Sequence, residues 1–391
     1  MIGRKQIVIL GCLLMIGLAG LCGCGSPSSD SMERVGTEAD HAADVPGGLT
    51  YESSMELQYA KNFSVDDYEG GYKILKTMDG TQILVVPEEK EVPDGISKDV
   101  VVVKQPVKNL YVVSSSIMDI FSKLDAMDTI RLSSQKEEDW YVQDAKDAMA
   151  RGDILYAGKY SKPDYELIVS ENCSLAIENT MITHSPEVSE MLADFDIPTM
   201  IEYSSYESHP LGRVEWVKFF GALIGKDELA QKIFNEEVRL VDEVTSVEKT
   251  DKTVAFFYVT SNGLIQVRSS SDYVPKMINL AGGNYIPTNI GDPDSKRSTV
   301  SMQIEDFYDQ AKDVDFIIYN SSIDGGIQSV KELLDKCAVL KDFKAVKEGN
   351  VWCTTNDMYQ QSMSIGYLIH DMHAMLQGKD QDDMTYLFHV E

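Results

Sequence analysis

His370 and His373 stand three residues apart near the end of the chain, with Asp371 beside the first, so they could share one helix face. Two ligands without a distant third make a poor metal site, and such a pair ordinarily marks a solvated helix surface. Signatures of covalent chemistry are missing: the chain has no GxSxG elbow, no GxxxxGKS/T phosphate loop and no HExxH. Gly282-Gly283-Asn284 follows a helical pattern, not a strand, and so reads as a helix C-cap. The residue types point away from an enzyme and toward binding.

The groups suited to binding fall in loops that follow strand-like runs. In the first half these are Ser115, Lys159, Tyr160, Met181 and His184; in the second they are Arg268, Tyr273, Asn320 and Tyr359. Ligands of open α/β sheets bind at the carboxyl ends of strands. Hydroxyls, phenols and a guanidinium converging there suit a bulky, partly anionic ligand held by stacking and hydrogen bonds. His184, with Met181 nearby, also offers axial ligation to a haem iron or a cobalt, although a lone histidine commonly just satisfies a local hydrogen bond. No set of three or four histidine and carboxylate ligands can be assembled from these loops, which argues against bare zinc or manganese.

The element that must position the loops is Lys226 to Val247. Leu229, Ile233, Val238, Val241 and Val244 recur at helical spacing, Asp227 is placed to cap the first turn, and no Gly or Pro intervenes. At 1.5 Å per residue such a helix spans roughly 30 Å. Before it, Leu110–Ser114, Ser174–Ile177 and Ile197–Ile201 read as strands alternating with helices, which predicts a parallel sheet covered by helices. After it the same rhythm returns, with strands at Thr253–Val259, Gly263–Val267, Val314–Tyr319 and Asn350–Thr354 and a final helix from about Gln361 to Gln377. The prediction is two Rossmann-like α/β lobes, 106–225 and 250–391, joined by one long helix over 226–249. A β-rich extension, 51–105, precedes them; Met78-Asp79-Gly80 between apolar runs signals a hairpin, expected to pack on the first lobe.

The chain has 391 residues, with 63 acidic against 35 basic and a formal charge of −28. A nucleic-acid partner, which needs a clustered positive surface, is not expected. Arg4 and Lys5 precede the apolar run Ile7–Leu21, the pattern of a secretory signal over 1–23. Leu21-Cys22-Gly23-Cys24 resembles the bacterial lipoprotein box, which implies lipidation at Cys24. The polar stretch 24–50 reads as a disordered tether. Cys173, Cys337 and Cys353 have apolar neighbours and no CxxC spacing, so buried thiols are expected.

From about Pro106 to Gln377 the chain resembles the substrate-binding proteins of ABC importers, in the cluster that binds iron–siderophore complexes, haem and cobalamin. The matching stretches are VKNLYVVSSS, PDYELIVSENCSLAIE, HPLGRVEWVKFFGALIGKDELAQKIF, DYVPKMINLAGGNYI, STVSMQIEDFYDQAKDVDFIIY and LKDFKAVKEGNVWCT, in that order. The resemblance implies a monomeric, membrane-tethered binding protein with no cofactor of its own, whose ligand carries iron or cobalt. Its partners would be an ABC permease and its ATPase. It also implies that Glu166 and Glu305, one per lobe, face arginines of the permease. The alternative from another class is a surface-anchored enzyme or chelatase using His184, Asp357 and the His370/His373 pair. A third is an adhesive or regulatory lipoprotein.

Overall fold

The computed structural model describes residues 46–292, 295, 297–379 and 381–391. The signal segment and Cys24 lie outside the described residues. Residues 24–45 of the expected tether lie outside them too, while at its far end Pro46–Gly48 form a 3-10 turn and Leu49 packs against an apolar cluster of the extension.

The extension is larger than a hairpin. Strands β1 (Tyr51–Ser54), β2 (Phe63–Tyr68), β3 (Tyr72–Thr77), β4 (Gln82–Val86) and β5 (Val100–Lys104) form one five-stranded sheet in sequence order. β3 and β4 are the antiparallel pair predicted around Asp79, whose carboxylate accepts hydrogen bonds from Thr77 and Thr81 across the turn. Only β4 and β5 run parallel.

The first lobe follows. Its elements are β6 (Leu110–Val112), α1 (Ser115–Lys123), β7 (Ile130–Ser133), α2 (Gln143–Ala150), β8 (Leu155–Tyr156), the ribbon β9 (Gly158–Lys159) and β10 (Lys162–Pro163), α3 (Tyr165–Ser170), β11 (Leu175–Glu178), α4 (Pro186–Asp194) and β12 (Thr199–Ile201). The sheet order is β12-β11-β6-β7-β8, all parallel, as the strand–helix rhythm requires.

Helix α5 (Pro210–Ile224) leads to the strut, α6 (Asp227–Thr245). Gly225, at φ 75°, supplies the left-handed residue that ends α5. The two helices then pack closely: a Cβ on Gly221 would lie 2.5 Å from that of Ala230, so only glycine fits there. Asp227 is not the N-cap. Lys226 occupies that position, and the Asp227 carboxylate pairs with Lys73 of the extension at 3.0 Å.

The second lobe comprises β13 (Thr253–Val259), β14 (Ile265–Arg268), α7 (Tyr273–Leu280), β15 (Asn284–Ile286), β16 (Thr299–Met302), α8 (Ile304–Ala311), β17 (Phe316–Tyr319), α9 (Val330–Lys336), α10 (Lys344–Lys347), β18 (Val351–Thr354), α11 (Ile365–Leu376) and β19 (Leu387–His389). Its sheet is mixed, not parallel throughout. β13 pairs in parallel with β15 and β17, but β14, β16 and β19 run antiparallel to their neighbours. The link from β13 to β14 is too short for a parallel crossover and closes as a hairpin. The predicted architecture of two α/β lobes, a single long helix and a β-rich extension is borne out.

One apolar core runs through the extension and both lobes. Phe63 of β2 meets Trp216 and Phe219 of α5 edge-on at 4.9 and 5.5 Å, and α11 packs against α6. Cys353 is buried, whereas Cys173 and Cys337 are half-buried, because their neighbours cover them only in part.

Candidate ligand-binding cleft

The loop after β6 is the first wall of the cleft. Ser114 donates to the buried Glu202 carboxylate at 2.6 Å, and the other oxygen of Glu202 accepts the Ser204 amide at 2.9 Å. One carboxylate thus fixes both the Ser115 turn and the loop after β12. Between these loops and the second lobe lies a cavity of about 210 Å³, lined by Ser115, Ser205, Arg213, Tyr273, Tyr359 and Tyr386 among others.

Arg213, in the first turn of α5, has its guanidinium carbon 3.7 Å from the centre of the Tyr273 ring. It also donates to the Ser205 carbonyl at 2.6 Å, so the cation is held flat on the phenol. Behind this layer, Arg268 grips Asp272 with two bonds of 2.8 and 2.7 Å. Arg268 and Asn320 each donate to the Tyr359 hydroxyl, at 3.2 and 2.9 Å. That oxygen accepts twice, which leaves its own proton for a ligand. Burial lifts the Tyr273 phenol well above its usual pKa, so it is a neutral donor.

Of the residues singled out in the sequence, Ser115, Tyr273 and Tyr359 line this cavity, and Arg268 and Asn320 support it from behind. Lys159, Tyr160, Met181 and His184 do not line it. They stay on the carboxyl edge of the first-lobe sheet, with Lys159, Met181 and His184 exposed and Tyr160 half-buried against an apolar cluster. Glu166 and Glu305 are exposed in the first turns of α3 and α8.

His370 and His373 also lie apart from the cavity. His373 donates through Nδ1 to the Ala281 carbonyl at 2.9 Å, and His370 sits 4.0 Å from Asp371. Asp371 in turn accepts the Thr385 and Tyr386 amides. His184 and the His370/His373 pair of the enzymatic alternative thus lie outside this cavity, and among the described residues no three His, Cys, Asp or Glu side chains are grouped to hold a metal ion. A groove on the outer face of α6, about 490 Å³ and lined by Asp242 and Glu243 among others, lies away from the strand ends.

Arg213 escaped the sequence reading, although a lone cation in the apolar first turn of LGRVEW demands a partner and was a usable signal. Two further hollows continue from it. A small one shares Ser205 and Arg213 with the main cavity and adds Arg297. A recess of about 450 Å³ shares Ser208, Ser271 and Asp272 with the small one and adds Lys61 and Lys276. In a chain of net charge −28, this trough gathers cations.

Where the lobes meet, Gln360 of the second lobe accepts the Tyr141 amide at 2.8 Å and donates to the Asp139 carbonyl at 2.9 Å. Asp119 accepts the Met363 amide at 2.8 Å and Glu237 the Gly366 amide at 2.7 Å, fixing the start of α11. Burial pushes Asp119 up to about 6 and Glu237 up to about 7.

No family model matches the chain. An uncharacterized lipoprotein of Methanocaldococcus jannaschii is 23% identical over 378 residues, which span 91% of this chain and 89% of the relative. A second uncharacterized lipoprotein of that organism is 23% identical over 405 residues, 99% of this chain and all of the relative. Among solved structures, a possible iron-binding (periplasmic solute-binding) protein from Staphylococcus epidermidis superposes at a TM-score of 0.53 with 16% identity, covering 69% of this chain and 98% of that one. The periplasmic heme-binding protein of Vibrio cholerae gives 0.54 and 13%, covering 67% and 97%. The chain has the two-lobe fold of periplasmic binding proteins.

Proposed function

We propose that the chain is the extracytoplasmic, lipid-anchored solute-binding component of an ABC importer, and that it captures an anionic metal chelate between its lobes. What carries this reading is the set of one cation and two phenols, Arg213, Tyr273 and Tyr359, lining the cleft of a strongly acidic chain, with Arg268 behind them holding Tyr359. Carboxylates and phenolates of a chelate would accept from these donors, and its aromatic parts would stack on the tyrosines. The likeness to a possible iron-binding protein and to a heme-binding protein favours a ferric siderophore or haem, with a cobalamin-type ligand as the third member of the class. His184 and Met181 lie outside the cavity, which favours the siderophore over axially ligated haem.

Binding needs no bond-making step. The strut α6, packed on α5 and α11, restricts the lobes (106–225 and 250–391) to small closing motions. The protein acts as a monomer tethered through Cys24 beside its permease and ATPase. Glu166 and Glu305, one on each lobe, engage arginines of the two permease subunits. The Glu166→Lys/Glu305→Lys variant tests this: uptake of a labelled chelate by cells should be abolished while the purified chain keeps its affinity. Normal uptake by that variant contradicts the assignment.

A further inference from the structure

The extension has a face that looks into the cleft. Its segment Gln58–Asn62 connects β1 and β2, and two buried carboxylates hold it in place. Glu215 accepts the amides of Gln58, Tyr59 and Ala60 at 2.8–2.9 Å, and Glu207 those of Lys61 and Asn62 at 2.9–3.0 Å. Tyr59 stacks on His209 with ring centres 4.5 Å apart. This segment therefore forms a fixed wall of the 450 Å³ recess, opposite Ser270, Ser271 and Lys276 of the second lobe.

The recess presents donors. His209 accepts the Leu211 amide on Nδ1 at 3.2 Å, so the neutral ring carries its proton on Nε2. Burial, then Lys276 and Lys61, drive its pKa down to about 4, which keeps it neutral and places both ammonium groups within electrostatic reach of one ring. Neither lysine takes part in an ion pair among the described residues. Asp272 is the sole carboxylate in the lining, and both its oxygens are bound by Arg268, with the Val274 amide on one of them as well. Two cations and a neutral imidazole thus share a hollow whose one carboxylate, Asp272, is already engaged by Arg268.

We infer that the extension and the second lobe together form an anion subsite, in which Lys61, Lys276 and His209 receive a carboxylate- or phosphate-bearing arm of a small molecule. The inference rests on the cleft reading above, since the recess joins the main cavity through the hollow lined by Arg213 and Arg297. It also gives the extension a role in ligand selection: a lobe pair without it would lack Lys61.

Calorimetric titration of the full-length chain with citrate, ferric citrate and inorganic phosphate, in separate arms, tests it. At least one anion should bind, and Lys61→Gln/Lys276→Gln should weaken that anion at least tenfold. Both lysines are exposed, so the unliganded melting temperature should not move. The arm that responds tells whether the anion is taken as a free carboxylate, as a metal complex or as phosphate. Unchanged affinity in the double variant, or no binding of any arm by the wild type, overturns the inference. Arg213→Gln separates the two claims: if it alone abolishes binding while the lysine variant does not, the cleft reading stands and the subsite falls.

Discussion

Glu215, wholly buried on α5, accepts the backbone amide of Ala60 at 2.8 Å across 155 residues of chain. The same carboxylate takes the amides of Gln58 and Tyr59 and an ion pair from the buried Lys218 at 2.9 Å. It satisfies amides that are buried at Ala60 and part-buried at Gln58 and Tyr59. The extension is docked on the first lobe by this contact as much as by apolar packing. Glu215→Leu should destabilise the chain by about 3–5 kcal/mol in urea unfolding, because it strands both Lys218 and the amides. Adding Lys218→Met should recover only part of that loss, since the amides stay unpaired. Full recovery would show that the latch on the extension contributes little.

The carboxylates at the lobe junction set a pH dependence. Asp119 and Glu237 have pKa values of about 6 and 7 in the folded chain, and burial alone lifts Glu178 to about 8. All three titrate lower when unfolded, so the folded state binds more protons. Stability from these groups is greatest in acid and falls as pH rises through each folded value. The melting temperature should therefore drop between pH 5.5 and pH 8. Glu237→Gln keeps an acceptor for the Gly366 amide and removes one titrating group, so its drop should be shallower. Parallel curves for variant and wild type would contradict the assignment.

Tyr359 holds the cleft wall through its oxygen. Tyr359→Phe leaves Arg268 and Asn320 each with one bond fewer, and should lower stability by about 1–3 kcal/mol in equilibrium unfolding. It should also weaken any chelate that stabilises the wild type. A variant as stable as the wild type, with equal affinity, would remove Tyr359 from the site.

The legible parts of the fold were the local ones. The strut, the Asp79 turn and the helix from Tyr273 to Leu280 announce themselves through periodicity, turn chemistry and caps within a few residues. β7 and α2 went unread because IRLS and QDAKDAMA are short and weakly patterned. The antiparallel start of the second lobe was legible in the three residues between the predicted strands Thr253–Val259 and Gly263–Val267, too few for a parallel crossover, and the strand–helix rhythm passes over it. Ser115, Tyr273 and Tyr359 reach the cavity from strand-end loops, as the rule of open sheets anticipates. The positions of Arg213, Lys61 and Lys276 along one trough are a tertiary event: a helix start, a docked extension and a second-lobe helix meet only after folding. Lys159, Tyr160, Met181 and His184 obey the same loop rule, yet the cavity lies toward α5 and α11, away from their edge of the sheet.

Thermal unfolding of the full-length chain, with ferric siderophores, haem and cobamides added singly, tests the central claim most directly. A ligand at a hundredfold above its dissociation constant adds about 2.7 kcal/mol, a shift of several degrees. The account predicts such a shift with one chelate class, greatest for a ferric siderophore, and its loss in Arg213→Gln. No shift with any chelate, or a shift that Arg213→Gln leaves intact, would contradict it.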